Sequence, residues 1–485
     1  MAFNSWALDY YVATNGNDLA SGTSTNEAFA TIQKAADMVT AGGTVYIRGG
    51  TYHEAVVVNK VTVSLPRVES VGDIALINAT AITMDGDEVI EDSVILISDG
   101  RITQVGSRTD VDIPAGYDQR DLSGKVIVPG YVDTHAHYGI RQDVPSFSNP
   151  SFLANLAYGV TTGMDVQPST IEHQSAQDMV DAGLMLGPRA YSTGPGIFSD
   201  NQFSSKQHAY AVLKRYKEHY GVNTLKAYLT GGRKQRQYLI QAAKELQLMP
   251  TTEGGLDMKM DLTHMIDGFS GNEHSFPLDA LHDDVVQLAA QTRIAYTPTL
   301  LVLYGGPAGE NYFYNHESPH EDEKLRRFTP YDALASRTLR RGHWVHDLEY
   351  ATTHIAEQAM KIVDAGGQVG IGAHGQLQGL GYHWELWSVA SGGSNFNALR
   401  SATIMGAEII GLGQDIGSLT AGRLADLVVL NSNPLEDIRN SADIEFVMKG
   451  GALFEGDTLN QVWPEEKALP DQWWWHLGPK EALVH

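Results

Sequence analysis

Residues 126–137 read VIVPGYVDTHAH, an apolar strand that ends in two histidines, His135 and His137. Side chains alternate between the faces of a strand, so both imidazoles point the same way, about 6 to 7 Å apart along the chain. In a buried strand, each imidazole needs a polar partner or a metal to offset its desolvation. The stretch therefore predicts half of a metal site. The alternative is a pair of histidines that are hydrogen-bonded within the core.

The composition narrows the class of protein. A chain of 485 residues exceeds the usual size of a single hydrophobic core, so we expect a large domain with at least one companion. The 34 lysines and arginines against 58 aspartates and glutamates give a formal charge of −24, which argues against nucleic acid or an anionic membrane surface as a partner. Cysteine is absent, so histidine, carboxylate and modified lysine remain as metal ligands.

The location of the protein is predicted only from what the chain lacks. No stretch reaches the roughly 18 to 20 continuous apolar residues of a membrane span, and residues 1–8 lack the basic start and apolar run of a signal peptide. We therefore expect a cytoplasmic protein that acts on a small molecule. An exported origin stays open.

The central segment, residues 124–415, alternates strand-like and helical stretches, which favours a (β/α)8 (TIM) barrel. The strand candidates are 126–132, 160–166, 189–192, 224–229, 248–253, 271–276, 293–301 and 368–372. In such barrels the chemistry lies at the C-terminal ends of the strands. The polar residues that fall at or near those ends are His135, His137, Lys226, Glu253, His274 and His374. They predict a metal site built from five strands.

Short alternating strands frame the central segment on both sides. The pattern runs through residues 61–123 and returns in residues 416–465, which predicts a composite β-sandwich formed from both flanks of an α/β protein. The tail, residues 466–485, holds three adjacent tryptophans at 473–475. Because such an exposed apolar patch is unusual, we expect the tail to be buried against a neighbouring subunit and the protein to be a homo-oligomer.

Motifs along four fifths of the chain, from about residue 72 to 463, resemble the amidohydrolase superfamily, and most closely its branch that is often fused to a tricorn-type β-propeller. They are VIVPGYVDTHAH, NLAYGVTTGMDV, LKAYLTGGRKQRQYLIQAAKEL, TTEGG, NEHSFP, YTPTLLVLYGG, GIGAHGQLQGLGYHWELW, ALRSATIMGAE and GSLTAGRLADLVVLNSNPLEDIRN. The propeller is absent from this sequence. Residues 1–60, a short β-rich cap, instead resemble the first coil of pectate-lyase-like β-helix proteins through YYVATNGND, ATIQKAADMV and GGTVYIRGGTYHEAVVV.

The resemblance implies a mononuclear or dinuclear metal hydrolase. In the superfamily, two strand-1 histidines, a carbamylated strand-4 lysine and histidines of strands 5 and 6 bind metal, while a strand-8 aspartate binds metal and serves as the base. The residues that match this pattern are His135, His137, Lys226 and His274. Glu253 stands where strand 5 has histidine, and His374 stands where strand 8 has aspartate. Both exchanges leave the number of ions open.

The ligand types favour Zn(II), one or two ions, with Mn, Co, Ni and Fe as weaker alternatives. Two close cations need a bridging anion, which a carbamate on Lys226 or the carboxylate of Glu253 would supply. Without metal, Lys226 is instead a salt-bridge partner of Glu253. His374 is either a ligand or the group that moves a proton, because a ligand histidine cannot also shuttle protons freely.

Several residues near the predicted mouth are candidates for supporting roles. Asp133 is expected either to orient a strand-1 histidine or to cap the turn. Tyr304 opens a long loop with clustered aromatic residues, which predicts either a lid or an oligomer contact. The candidates for substrate contact, each with packing or an ion pair as the alternative, are Tyr228, Arg233, Tyr304 and His383, with Glu385 as a weaker one.

These features predict a metal-dependent hydrolase that cleaves an amide-type C–N bond by metal-activated hydroxide. The substrates we expect are a dipeptide, an N-acyl amino acid or a cyclic amide. Ester or lactone cleavage uses the same chemistry and stays an alternative. A further alternative is a non-catalytic or carbohydrate-binding protein on the same scaffold, because a fold does not by itself fix a function.

Overall fold

A computed structural model describes residues 8–39, 44–54, 56, 70–140, 146–198, 201–254, 257–302, 307–339 and 345–477. The chain divides into two compact units, Met1–Pro66 and Arg67–His485. The first unit contains strand β1 (Tyr10–Val12), helix α1 (Ile32–Met38) and strand β2 (Val45–Ile47). The two strands pair in parallel, and Tyr10, Val12, Phe29 and Ala35 form a small core.

The second unit alternates strands and helices. Its strands are β3 (Asp73–Ile82), β4 (Val89–Ser98), β5 (Arg101–Ser107), β6 (Asp118–Asp121), β7 (Val126–Pro129), β8 (Tyr131–Ala136), β9 (Val160–Asp165), β10 (Arg189–Ser192), β11 (Thr224–Lys226), β12 (Met249–Glu253), β13 (Gly271–Glu273), β14 (Ala295–Thr297), β15 (Gln368–Val369), β16 (Leu427–Leu430), β17 (Ile444–Lys449), β18 (Ala452–Glu455) and β19 (Gln461–Trp463). Its α-helices are α2 (Pro150–Ala157), α3 (Glu172–Asp181), α4 (Lys206–Glu218), α5 (Arg233–Leu246), α6 (Met258–Asp267), α7 (Asp283–Thr292), α8 (Glu310–His316), α9 (Glu323–Phe328), α10 (Tyr331–Leu339), α11 (Thr352–Asp364), α12 (Leu380–Ala390), α13 (Asn395–Ala402) and α14 (Ile404–Ile409).

Strands from both flanks share one sheet. Its order is β19-β18-β17-β16-β7-β3-β4-β5, and β6 pairs with β3. The pairing of β7 with β16 joins residues 126–129 to residues 427–430, about 300 positions later in the chain. Buried aliphatic side chains of both flanks, among them Ile74, Ile127, Leu427 and Val429, form a core on this sheet.

The remaining strands form two parallel sheets. One has the order β10-β9-β8, and the other runs from β11 to β15 in chain order. A parallel bridge between Ile197 and Ala227 joins the two sheets on one side. On the other side, the amide of His374 donates to the carbonyl of His135 at 2.8 Å. This order is consistent with the predicted barrel topology.

Residues 126–137 contribute one strand to the mixed sheet and one strand to a parallel sheet. We predicted one strand over 126–132, but the chain turns at Gly130, so that β7 lies in the mixed sheet and β8 begins the parallel one. Gly130 passes close to the next strand, because a Cβ on it would lie 2.2 Å from Thr161 Oγ1. A side chain would therefore not fit at the point where the two sheets meet.

Helix α2 illustrates how local sequence positions the elements. Asn149 accepts a hydrogen bond from the amide of Ser151, and Pro150 occupies the first turn, where its missing N–H costs nothing. The helix buries Phe152 and Leu156 on its inner side. Gly159, at φ +80°, then turns the chain into β9.

Several elements differ from the sequence predictions. Strands β11, β13 and β15 each end three residues earlier than predicted. The strand expected over 293–301 is shorter, because β14 ends at Thr297 and a 3₁₀-helix follows over Leu300–Val302. Pro298 lacks an N–H and Thr299 has φ +47°, so neither continues a strand. The predicted long loop after this strand is largely helical and contains α8, α9 and α10.

The tryptophan tail packs on its own chain. The indole N–H groups of Trp474 and Trp475 donate to the carbonyl of Arg327 at 2.9 and 2.6 Å, and the Arg327 guanidinium lies 4.1 Å from the ring centre of Trp475. Only Trp473 of the three is largely exposed. A second subunit is therefore not needed to cover the other two. Within the described ranges, every helix is too short or too polar to cross a membrane.

A buried ion pair ties the parallel strands to the mixed sheet. Arg189, at the start of β10, pairs with Asp426, which also accepts the amide of Gly450. We expect Asp426→Ala to lower the free energy of unfolding by about 3 to 5 kcal/mol, because it leaves the Arg189 charge buried without a partner. Urea denaturation measures this. The double variant Arg189→Leu/Asp426→Leu should lose less stability than Asp426→Ala alone, and an equal or larger loss would contradict the explanation.

Candidate metal centre

Four imidazoles converge at the C-terminal ends of the parallel strands. The ring centre of His135 lies 5.0 Å from that of His137, 5.0 Å from that of His274 and 4.9 Å from that of His374. His137 and His374 are 4.7 Å apart, and His274 and His374 are 5.0 Å apart. Their nitrogens, with a Glu253 oxygen, form two overlapping groups of three atoms that lie within 4.8 Å of one another. These groups are His135, His137 and His374, and His135, Glu253 and His274.

Backbone geometry turns two of these rings inward. His274 directly follows β13 with φ +68°, and His374 lies beyond β15 with φ +56°. Left-handed backbone is uncommon for residues other than glycine, and it persists only where the surroundings fix it. For His274 the surroundings include Thr299, whose hydroxyl lies 2.6 Å from the ring Nδ1. The strained turns thus aim side chains that would otherwise alternate away from the centre.

A buried carboxylate fixes the orientation of His135. Glu273 Oε2 lies 2.7 Å from His135 Nδ1, and Glu273 Oε1 accepts from the Thr251 hydroxyl at 2.5 Å. Burial raises the pKa of Glu273 to about 7. In its ionised form this carboxylate favours the tautomer of His135 that carries the proton on Nδ1 and leaves the lone pair on Nε2. That Nε2 is buried and has no hydrogen-bond partner among the described residues. A buried, unpaired lone pair that faces three other ligand groups fits a bound cation.

Burial keeps the imidazoles of His135 and His374 neutral. It lowers the pKa of His135 well below its ordinary value, with further contributions from Lys226 and the neighbouring histidines. Burial, assisted by His137 and His274, lowers the pKa of His374 to about 3. Metal ligation requires neutral imidazole, so both rings are in the ligating form at pH 7.

Glu253 is held by two partners. Lys226 Nζ donates to Glu253 Oε1 at 2.9 Å, and His274 Nε2 lies 2.9 Å from the same oxygen. Burial alone would raise the pKa of Glu253, but Lys226 and His274 lower it to about 2. The carboxylate is therefore ionised. The fully buried Lys226 is a salt-bridge partner in this structure, which is one of the two states expected for it.

A cavity of about 470 Å³ opens onto this centre. The residues that line it are His137, Gln167, Tyr228, Glu253, His274, Val302 and His374. Tyr228, a predicted substrate contact, is therefore beside the metal-binding groups. Burial and the nearby Glu253 raise the pKa of Tyr228, so its phenol keeps its proton and can donate a hydrogen bond.

The structure places the other predicted site residues elsewhere. Asp133 accepts the backbone amides of His135 and Ala373 at 3.0 and 3.3 Å, so it holds the turn instead of the imidazole ring. His383 is fully buried. Its ring Nδ1 lies 2.9 Å from Ser441 Oγ, and its ring Nε2 lies 2.9 Å from the Tyr158 carbonyl oxygen. A ring with both nitrogens engaged in the core is not available to a substrate, which corrects that expectation.

Two further candidates do not join the centre. The Arg233 guanidinium pairs with Asp267 at 2.7 Å. The buried carboxylate of Glu385 accepts the amides of Leu300 and Leu301 at 2.7 and 2.9 Å and so caps the 3₁₀-helix after β14. Tyr304 lies outside the described residues.

Sequence reasoning missed Glu273 and Gln167. Glu273 precedes His274, and strand alternation places neighbouring side chains on opposite faces, so the pair did not suggest one site. The signal that was present is the run Asn272-Glu273-His274, three buried polar residues of which two lie in β13 and the third directly follows it. Such a run in a buried strand needs partners.

The sequence model of the Amidohydrolase family matches residues 126–453, more than half of the chain. The chain belongs to the amidohydrolase family. This amidohydrolase is 23% identical over 450 residues to 5-methylthioadenosine/S-adenosylhomocysteine deaminase of Thermodesulfovibrio yellowstonii, which covers 80% of this chain and 94% of the relative. It is 24% identical over 383 residues to imidazolonepropionase of Clostridium tetani, which covers 72% of this chain and 86% of the relative.

Solved structures agree with the fold. The amidohydrolase superposes on a Xaa-Pro dipeptidase with bound methionine with a TM-score of 0.60 at 20% identity, over 79% of this chain and all of that one. It also superposes on molinate hydrolase with a TM-score of 0.61 at 16% identity, over 83% of this chain and 98% of that one. The chain is thus an enzyme of a hydrolase family that is typically metal-dependent, and its His and Glu groups are suited to bind a metal.

The contact between Glu273 and His135 generates a prediction about metal affinity. We expect Glu273→Ala to weaken metal binding by about 10- to 100-fold, because the imidazole loses the partner that fixes its tautomer and orientation. Glu273→Gln, which retains a hydrogen-bond acceptor, should lose less. Competition with a chromogenic chelator measures the affinity. If Glu273→Ala binds metal as tightly as the unmodified protein, Glu273 does not orient a ligand.

A second prediction concerns Asp261, a carboxyl buried on α6 next to Gly254. Burial, with a contribution from Asp257, raises its pKa to about 7. The folded state therefore holds this proton more tightly than the unfolded state, so the stabilisation present at low pH is lost as the pH rises toward 7. We expect Asp261→Asn to gain in urea midpoint relative to the unmodified protein between about pH 5 and 8. The exposed Asp112→Asn is the control and should show no such gain.

Proposed function

We propose that this amidohydrolase cleaves an amide-type C–N bond of a small molecule, using a divalent cation held at the histidine cluster. The observation that carries the proposal is the convergence of four imidazoles and a carboxylate around the unpaired, buried Nε2 of His135. The three imidazoles of His135, His137 and His374 form one ligand group. Nitrogen and oxygen donors without thiolate favour Zn(II).

The division of work between His374 and Glu253 follows from their contacts. We assign His374 as a ligand, because its ring lies within 5.0 Å of the other three. Glu253 Oε1 is engaged by Lys226 and His274, whereas Glu253 Oε2 makes no hydrogen bond to the described residues. Oε2 is therefore the atom that we propose takes a proton from water. A divalent cation held at the histidine cluster would polarise the substrate carbonyl and lower the pKa of water, so that even a weak carboxylate base can act.

Tyr228 completes the proposed arrangement. Its phenol lines the same cavity as Glu253 and His274, and it keeps its proton because burial and Glu253 raise its pKa. A protonated phenol donates a hydrogen bond to the carbonyl oxygen on which charge develops during attack. We propose that Tyr228 has this role.

Three structural proposals accompany the function. We propose that the eight parallel strands form a closed barrel, supported by the hydrogen bonds that link β8 to the segment after β15. We propose that Lys226 exchanges its ion pair for a carbamate when two ions are bound, since two cations need a bridging anion. We also propose a homo-oligomer, for which the exposed Trp473 is the support that remains after Trp474 and Trp475 pack on their own chain. Finally, we propose that the chain is of the branch often linked to a tricorn-type propeller.

The test combines metal analysis with a substrate panel. We expect one or two transition-metal ions per chain by elemental analysis, hydrolysis of at least one member of a panel of dipeptides, N-acyl amino acids and cyclic amides, and loss of that activity with chelator. His135→Ala should lower metal affinity about 100-fold. His208→Ala, the same change at an exposed histidine on α4, is the matched control.

The outcomes separate the alternatives. Activity that survives complete removal of metal would refute the proposal. Cleavage of lactones with no cleavage of amides would assign the same centre to ester-type bonds instead. Metal binding without hydrolysis of any class would remove the proposed reaction while leaving the metal site in place.

A further inference from the structure

Gln167 occupies a conformation that favours glycine. It lies two residues beyond β9 with φ +98°, the largest positive φ of any non-glycine residue in the described part of the chain. A side chain in this region is strained, and such strain persists only where the surrounding structure enforces it. A glutamine here is therefore a feature that needs an explanation.

A buried threonine enforces the conformation. The Gln167 amide donates to Thr193 Oγ1 at 2.9 Å, and the Thr193 hydroxyl donates in turn to the Gly194 carbonyl at 3.0 Å. Thr193 is completely buried just after β10. The backbone of Gln167 is thus attached to the end of the neighbouring strand.

The side chain of Gln167 also has a defined path. A Cβ on Gly196 would lie 2.7 Å from Gln167 Cγ and 3.2 Å from Gln167 Cδ. The side chain therefore runs along backbone that is free of a side chain, and the space it needs exists because residue 196 is glycine. The same Cβ would also lie 3.2 Å from Phe198 Cε2, so the closest of its contacts is the one with Gln167.

The carboxamide of Gln167 reaches the cavity over the metal centre. Gln167 lines that cavity together with His137, Tyr228, Glu253 and His374. Its hydrogen bond to the described residues is made by the backbone amide, which leaves the carboxamide available to a ligand. Among the described residues that line this cavity, there is no lysine or arginine. The polar group that Gln167 presents is uncharged and has both donors and an acceptor.

We propose that Gln167 is a specificity-determining residue, whose carboxamide binds an uncharged amide or carbonyl group of the substrate next to the bond that is cleaved. The inference rests on the proposed function and deepens it by naming the substrate class, a neutral amide. A carboxamide pairs with another amide through one donor and one acceptor, whereas it gives no charge complement to a carboxylate. The hydrogen bond to Thr193 fixes the backbone of Gln167, and the absence of a side chain on Gly196 leaves room for the Gln167 side chain.

The first test is Gln167→Gly. It removes the carboxamide and relieves the positive φ, so we expect an unchanged or higher melting temperature together with an increase in KM of about 10-fold for neutral amides, the loss of one hydrogen bond. Metal content should not change. Gln247→Gly is the matched control, because Gln247 is exposed at the end of α5 with φ +53° and lies outside the cavity. It should leave KM unchanged.

The second test leaves Gln167 in the protein. Gly196→Ala places a methyl group in the path of the Gln167 side chain, and Gly196 does not have a positive φ, so alanine is compatible with the backbone there. We expect the same increase in KM as with Gln167→Gly. Gln167→Glu has nearly the same shape with a negative charge, and it should bind neutral amides less tightly and an amine-bearing analogue more tightly.

Binding is measured as well as turnover, which separates this inference from the proposed function. N-acetylglycinamide is titrated calorimetrically into the protein as purified and into Gln167→Gly. If the protein hydrolyses nothing, the proposed function fails, but a weaker Kd in Gln167→Gly still supports the inference. Equal Kd and KM values in the unmodified protein and Gln167→Gly, within about twofold, would overturn it whether or not hydrolysis occurs.

Discussion

The cost of burying ionisable side chains is the constraint on which this site depends. Four imidazoles, Lys226 and two carboxyl groups meet at one end of the parallel strands, where His135, Lys226, Glu273 and His274 are buried. Most of them offset their desolvation by pairing, as in the contacts of Glu273 with His135 and of Lys226 with Glu253. His135 Nε2, in contrast, is buried and has no partner among the described residues. This unpaired lone pair, surrounded by other ligand groups, is the feature that a cation would satisfy.

Much of this arrangement was predictable because it follows from strand geometry. Residues at the C-terminal ends of parallel strands meet at one edge, so His135, His137, Glu253, His274 and His374 were expected together, and the structure brings them together. Family membership agrees with the expectation of a hydrolase. The division of residues 126–137 between two sheets was not predictable, because an apolar run has the same pattern whichever sheet its strands join.

The errors share a physical cause. His383 and Arg233 are residue types that often bind substrates, but the packing of their helices decides which groups they contact. His383 on α12 contacts Ser441, and Arg233 on α5 contacts Asp267. In the same way, Glu273 was missed because strand alternation does not describe a side chain that crosses to a neighbouring strand. Pattern rules predict where a side chain starts and not which group it reaches. This limit applies most strongly to long polar side chains.

Strained backbone after the parallel strands fixes the directions in which the side chains of the site point. Non-glycine residues with positive φ follow five of the parallel strands at this end, and they are Gln167, Leu229, His274, Thr299 and His374. Each turns the chain sharply after its strand, so a side chain leaves the regular alternation and can face the centre. Hydrogen bonds fix two of these turns directly: the Gln167 amide donates to Thr193 Oγ1, and the ring Nδ1 of His274 is bonded to the Thr299 hydroxyl. Three of the five, Gln167, His274 and His374, line the cavity over the metal centre. Because such turns destabilise the chain locally, their presence there is explained by the geometry that the site requires and not by the stability of the fold.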